Sequence, residues 1–366
     1  MLTGTHLVAT QSDSLRQVWV ALDLEAGEVV WASATGEQVR AASGSRVLTF
    51  AETEDGQRVA RIIDVSDSSQ VAQIGLPADT SANPNFDRAD QIFDGRRFVF
   101  GRSRDPDSPP GRIIYFDGES RRRVELGERV QEGPVLIEGG FAAIVQGESA
   151  SGDSNLDVLV YREATDSTAR VTETDAREQG LVSDGVSAAW ATSDAVSMLK
   201  DARASPTPVY EGNCGRLSVD EGSLAFLCRT EETDYWPDGP VSGEVLRVYD
   251  GSEVRTVESA ESPIYLAALD GGRVAWIQPM SDSEGSPGVG RESRGRVMVA
   301  GGYNAPAVDT GARTGFPCFT CGALWPPVHL SMEGGRIAWS YERTGEDPEN
   351  PGGPGGVGYA ISQGCP

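Results

Sequence analysis

The chain has 366 residues, 44 of them glycine and 21 proline, and its 55 acidic against 31 basic side chains give a formal net charge of −24. Such a charge repels phosphate backbones and anionic lipid, which argues against nucleic acid as a partner. No stretch is apolar and long enough to predict insertion into a membrane.

In chain order, one phrase recurs: an acidic or small residue with glycine, then a short apolar strand. It reads Leu2-Thr3-Gly4 into Leu7-Val8-Ala9, Ser43-Gly44 into Val47 to Phe50, Asp94-Gly95 into Phe98 to Phe100, and Glu138-Gly139 into Ala142 to Ile144. It continues with Asp184-Gly185 into Ala188 to Trp190, Glu221-Gly222 into Leu224 to Phe226, Asp270-Gly271 into Val274 to Trp276, and Glu333-Gly334 into Ile337 to Trp339. The period of roughly 40 to 50 residues is that of four-stranded propeller blades. The sequence therefore predicts an all-β propeller of antiparallel blades spanning 1–366 as one domain, with eight repeats counted and seven blades the alternative if the chain ends merge.

A second apolar strand follows in each unit, often closing on an aromatic residue and Asp-Gly, as in Ile113 to Gly118 and Val245 to Gly251. A weaker fourth strand comes next, such as Arg123 to Leu126 or Glu253 to Val257. Runs this short, rich in valine, isoleucine and aromatics between turn residues, predict strands and no amphipathic helix. The pattern resembles the WD-like repeats of TolB-type bacterial β-propellers, which implies an architecture and not an activity. Ala142-Ala143 and Ala188-Ala189 depart from the branched pair of that motif, and Val196 to Leu199 stands where Tyr-Asp is expected, so those blades are expected to be the less regular.

The first unit lacks most of its first strand and the last lacks its fourth; either the ends complete each other or an N-terminal segment with an export signal precedes this sequence, the reading favoured here. Arg121-Arg122-Arg123 lies on a weak outer strand, where charge discourages edge pairing. Trp190, Trp276 and Trp339 each fall five residues after a turn glycine, which predicts packing between blades.

Five cysteines bear on the compartment. Cys214 and Cys228 are equidistant from Glu221, so a three-residue turn would set them opposite each other across a hairpin and make a disulfide feasible. Cys318 and Cys321 form a C-x-x-C with Cys365 left over. Gly322 excludes haem attachment, no helix N-terminus is present to lower a thiol pKa, and zinc would need further ligands from His6, His329 and Cys365. A structural disulfide is the favoured reading, and disulfides imply a periplasmic or extracellular protein.

Catalytic signatures are sparse: two histidines, no Gly-x-Ser-x-Gly elbow and no phosphate-cradling loop before a helix. Asp153-Ser154-Asn155-Leu156-Asp157 opens like a calcium loop but lacks its glycine and distal glutamate, so neither a metal nor a cofactor is expected. The loops discriminate more. Strand-two-to-three loops and between-blade links are long and dissimilar and share one face, while the other turns are tight. Function on a rigid scaffold sits in such loops. The expectation is a monomeric, non-catalytic binding or scaffold module recognising a protein or glycan through that face. Tyr235, Trp236 and Asp238 of one insertion, with Phe319 and Trp325 of a between-blade link, are the candidate contacts. The alternative is a propeller glycoside hydrolase or polysaccharide lyase with paired carboxylates at the central channel.

Overall fold

The computed structural model describes residues 2–3, 5–13, 16–76, 92–101, 112–146, 155–173, 176–229, 244–260, 264, 266–279, 293–301, 307–316, 330–333, 336–343 and 356–363. The chain divides into two compact units, Met1–Gly212 and Asn213–Pro366.

The architecture is that of a β-propeller: consecutive antiparallel meanders with almost no helix. In the first unit, the first sheet holds β1 (Leu2–Thr3), β2 (His6–Asp13), β3 (Arg16–Asp23) and β4 (Glu28–Ala32), and the second β5 (Gln38–Ser43), β6 (Arg46–Glu52), β7 (Arg58–Asp64) and β8 (Ser69–Gly75). The third has three strands, β9 (Phe98–Gly101), β10 (Arg112–Phe116) and β11 (Arg121–Glu125), its inner partner reduced to a Phe93–Phe98 bridge. The fourth contains β12 (Val130–Ile137), β13 (Gly140–Gln146), β14 (Leu156–Arg162) and β15 (Ser167–Arg170), and the fifth β16 (Gln179–Ser183), β17 (Ala188–Ala191), β18 (Ala195–Leu199) and β19 (Thr207–Glu211). The second unit holds β20 (Cys214–Asp220), β21 (Ser223–Arg229), β22 (Glu244–Tyr249) and β23 (Val254–Ala260), then β24 (Leu266–Asp270), β25 (Arg273–Pro279), β26 (Ser293–Ala300) and β27 (Val308–Phe316), and last β28 (Leu330–Glu333), β29 (Arg336–Arg343) and β30 (Gly356–Gln363). The described residues thus form eight sheets, six of four strands and two of three, and the repeats of the sequence map onto them in order.

Burial explains the strand patterns. The second and third strands of a sheet are covered on both faces by neighbouring sheets, so β13 and β14 read as nearly continuous apolar runs and are buried almost throughout. Outer strands have a wet side, and β11 alternates exposed arginines with the buried Val124. Between the first two sheets Val8, Ala21 and Trp31 pack on Val39, Val47 and Ile63. Between the fourth and fifth, Val158 and Val160 meet Leu181 and Trp190. In the second unit Ala225, Leu227 and Leu246 meet Val274, Trp276 and Met298. Trp190 and Trp276, 1% and 0% exposed, therefore hold equivalent places on second strands, each filling the seam with the preceding sheet. The side chain of Trp339 lies outside the described residues.

The fourth and fifth sheets each have four strands, with register shifts between β12 and β13, β16 and β17, and β18 and β19, and small alanines suit seams filled by Trp190 and by the branched residues of β14. One expectation needs correction. The hairpin of Cys214 and Cys228 has no three-residue turn. Asp220 pairs with Ser223 around Glu221 and Gly222, both at positive φ (46° and 80°), a two-residue turn that matches strand twist. A bulge between Gly215 and Ser218 supplies the missing residue, and Cys214 still pairs with Cys228. The two are joined as a disulfide, both 4% exposed.

Among the described residues no helix is long and apolar enough to cross a membrane.

Candidate functional site

The two faces of the first unit differ in how their loops are held. On the face of the strand-one-to-two turns, the turns bond to one another. The Arg97 guanidinium binds the Asp94 carboxylate at 2.6 Å, the Ile137 carbonyl at 3.1 Å and the Gly185 carbonyl at 3.0 Å, while the Gly95 carbonyl accepts from Arg46 at 3.1 Å. The turn of the third sheet is thereby tied to the second, fourth and fifth. Gly185 sits at φ 89°, a left-handed conformation that glycine adopts at no steric cost. Outward from these turns, Tyr115 donates to Glu163 at 2.9 Å and Tyr161 to Asp166 at 2.7 Å, with the Arg122 guanidinium bonded to Tyr161 and Asp117. Burial, then the Glu163 hydrogen bond, pushes the Tyr115 phenol well above its ordinary range. So Arg122, in the basic run, is a tie to the fourth sheet, Arg121 donates to the Gly75 carbonyl of the second, and the exposed Arg123 pairs with Glu125 of its own strand.

The opposite face carries an opening. A cleft of about 660 Å³ is lined by the β4–β5 link, Ala34 to Glu37, by the β6–β7 turn from Ala51 to Asp55, and by Arg61 of β7. Its size is within the range of small-ligand sites, roughly 300–1,000 Å³. It exists because both loops are short and satisfied internally. In the link, the Glu37 N–H donates to the Ala34 carbonyl at 3.1 Å; in the turn, the Gln57 N–H donates to the Thr53 hydroxyl at 3.1 Å, and that hydroxyl to the Gln57 carbonyl at 2.9 Å. Neither loop folds over the seam between the first two sheets.

The floor of the cleft is polar. Glu37, 6% exposed, accepts the Thr49 hydroxyl at 2.5 Å and the Arg61 guanidinium at 3.4 Å on Oε1, and the Ala34 N–H at 3.2 Å on Oε2. Arg61 is held in turn by Gln73 at 3.1 Å. Thr49 is fully buried, and in β6 it stands among the apolar Val47, Leu48 and Phe50, so its hydroxyl exists to serve Glu37. The rim is acidic: Glu52, Glu54 and Asp55 are exposed. Hydrogen bonds, first from the Thr53 hydroxyl and then from the backbone, hold the Asp55 carboxyl below the usual carboxylate range.

A second polar cluster on the same face lies in the fourth sheet. The Arg170 guanidinium bonds both the buried Asp157 and Glu128, the latter at 2.6 Å, and Thr172 supports Asp157. Asp157 closes the calcium-like run in the sequence, and this ion pair is its actual partner. Among the described residues no group of three histidine, cysteine or acidic side chains is placed to hold a metal. His6 is buried beside Thr5.

The predicted contacts Tyr235, Trp236, Asp238, Phe319 and Trp325, and also Cys318, Cys321, Cys365 and His329, lie outside the described residues. Sequence reasoning passed over Glu37, Thr49 and Arg61. One signal was available: a threonine amid the apolar run of β6, twelve residues after a glutamate in the between-blade link.

No protein-family profile matches the sequence, and no curated protein matches it. Solved structures do. Dipeptidyl peptidase 4 of Porphyromonas gingivalis is 13% identical with a TM-score of 0.50 over 93% of this chain and 55% of its own, so this chain spans about half of that enzyme. An oligogalacturonate lyase of Vibrio parahaemolyticus is 10% identical, TM-score 0.49, over 98% of this chain and 97% of its own. TolB of Acinetobacter baumannii is 13% identical, TM-score 0.33, over 80% and 75%. At such identities the likeness concerns fold alone, and the chain stands as an all-β protein of propeller architecture.

Proposed function

We propose that this chain is an exported, non-catalytic binding module that recognises a protein or glycan through the face of its between-blade links and strand-two-to-three loops. The observation that supports this reading is the asymmetry of the first unit: turns bonded to one another on one face, an open polar cleft on the other. The Cys214–Cys228 disulfide supports export, since such bonds persist in oxidising compartments. In this reading Tyr235 and Trp236, followed in the sequence by Pro237, supply aromatic contact area at small entropic cost.

A propeller hydrolase or lyase is the second reading, and Glu128 with Asp157 is the carboxylate pair that favours it. Arg170 sits between the two, where a glycosidase pair leaves room for sugar or water. The binding reading is therefore preferred.

Screening the labelled protein on a glycan array and against an extracellular protein panel tests the proposal. Trp236→Ala should weaken the best hit about tenfold or more with the melting temperature unchanged. Turnover of a bound polysaccharide, lost on Asp157→Asn, would establish the enzyme instead. A hit insensitive to Trp236→Ala and to Glu54→Lys would remove the loop face from recognition.

A further inference from the structure

Among the described residues each sheet ends in an outer strand with no further strand paired to its far edge, a liability that proteins suppress with charge or proline. Most outer strands carry such residues in their sequences: Glu28 in β4, three arginines in β11, Arg170 in β15, Pro208 in β19, Arg255 in β23 and Asp309 in β27. Among the described fourth strands, β8 alone has neither: it reads Ser69-Gln70-Val71-Ala72-Gln73-Ile74-Gly75. The third strand β30 is also uncharged, but Gly356 and Gly358 weaken it for pairing. Ser69, Gln70 and Gln73 of β8 are exposed, and Val71 is 45% exposed, one of few large apolar side chains so displayed.

The backbone of β8 faces the right way. The Leu76 N–H donates to the Arg58 carbonyl at 2.8 Å, just past the Val59–Gly75 pair. That makes Val59–Gly75 and Arg61–Gln73 the pairs without mutual hydrogen bonds, so the N–H and C=O of Gln73 and Gly75 point away from β7. One of these groups already has a visitor: the Arg121 guanidinium of the next sheet donates to the Gly75 carbonyl. A bulge at Val71 turns that side chain outward and leaves Ala72 to Gly75 as the regular run.

We propose that β8 is a docking edge on which an extended, basic segment of a partner protein adds as a fifth strand to the second sheet. Backbone pairing supplies the affinity and Val71 the apolar contact. Charge names the occupant. Asp67 stands at one end of the strand, and at the other Gly75 abuts Gln57, in the turn that carries Glu54 and Asp55. A second copy, bringing its own −24, is repelled. This surface shares Glu54 and Asp55 with the rim of the cleft, but the strand edge itself, probed by Val71→Lys, is not part of the loop face.

The test uses the full chain at physiological salt and a fluorescent peptide Lys-Lys-Thr-Val-Thr-Val-Thr-Lys-Lys, read by anisotropy. It should bind in roughly the micromolar range, and a glutamate-flanked counterpart at least about tenfold more weakly. The same peptide N-methylated at alternate residues keeps its charge but loses its donors, and should not bind. Val71→Lys should weaken binding about tenfold without changing the melting temperature, whereas Val29→Lys on β4 should not matter. Failure of the lysine peptide to bind, equal binding of the N-methylated peptide, or indifference to Val71→Lys each overturns the proposal. So does a sedimenting dimer that Val71→Lys dissolves, since a second copy would then be the occupant.

Discussion

Thr49→Val tests whether the cleft floor is a buried polar network. The substitution preserves shape and removes one donor from a carboxylate that is 6% exposed, leaving Glu37 with the Ala34 N–H at 3.2 Å and Arg61 at 3.4 Å. The lost bond is the shortest of the three at 2.5 Å, and a hydrogen bond to a charged group is worth about 1.5–3 kcal/mol. The unit concerned spans Met1–Gly212, a size at which each kcal/mol moves the melting temperature by roughly 2–4 °C. Thermal denaturation followed by circular dichroism should therefore show a fall of about 3–12 °C. Raising the salt should not erase the difference, because burial shields the pair from counterions. Glu37→Gln and the double variant complete a cycle whose coupling should be about 0.5–3 kcal/mol. A Thr49→Val protein within about 0.5 kcal/mol of the parent would refute the reasoning: water would then replace the hydroxyl, and the floor would be solvent-exposed.

Arg97→Ala strips two backbone carbonyls and Asp94 of their shared partner, and in chemical denaturation should cost about 3 kcal/mol, since removing one partner leaves the others desolvated. Non-reducing peptide mapping should recover Cys214 linked to Cys228, and replacing both by alanine should cost no more than about 3 kcal/mol, because the closed loop is short and the hairpin already holds its ends. Backbone N–H bonds, first from Glu253, with the Ser252 hydroxyl, lower the Asp250 carboxyl to about 2. Its folded pKa is depressed, so its contribution is whole above the ordinary aspartate range and is lost as pH falls through about 2; carboxyl chemical shifts should still report an ionised Asp250 at pH 3.

Much of the fold is legible in the sequence because each blade is a local object. Turn glycines, apolar runs and weak outer strands depend on neighbours within about fifty residues, and burial from both sides makes central strands such as β13 and β14 apolar throughout. The pairing of Cys214 with Cys228 was legible too, though for an incomplete reason: counting residues cannot reveal that a two-residue turn and a bulge offset each other. Arg97 could not be read this way. Its carbonyl partners at Ile137 and Gly185 are distant in sequence and meet only because the turn of the third sheet lies against the fifth. The cleft belongs to the same class. Glu37, Thr49 and Arg61 come from a link and two strands, and a sequence-based search for function favours long loops, whereas this opening arises where two loops are short. By itself the sequence determined the repeat, the strand order, the hairpin of the disulfide and the acidic surface, all set by local pattern and composition. Tertiary structure alone decided which carboxylates are buried and paired and which face is open, because each depends on side chains from separate strands meeting across a seam.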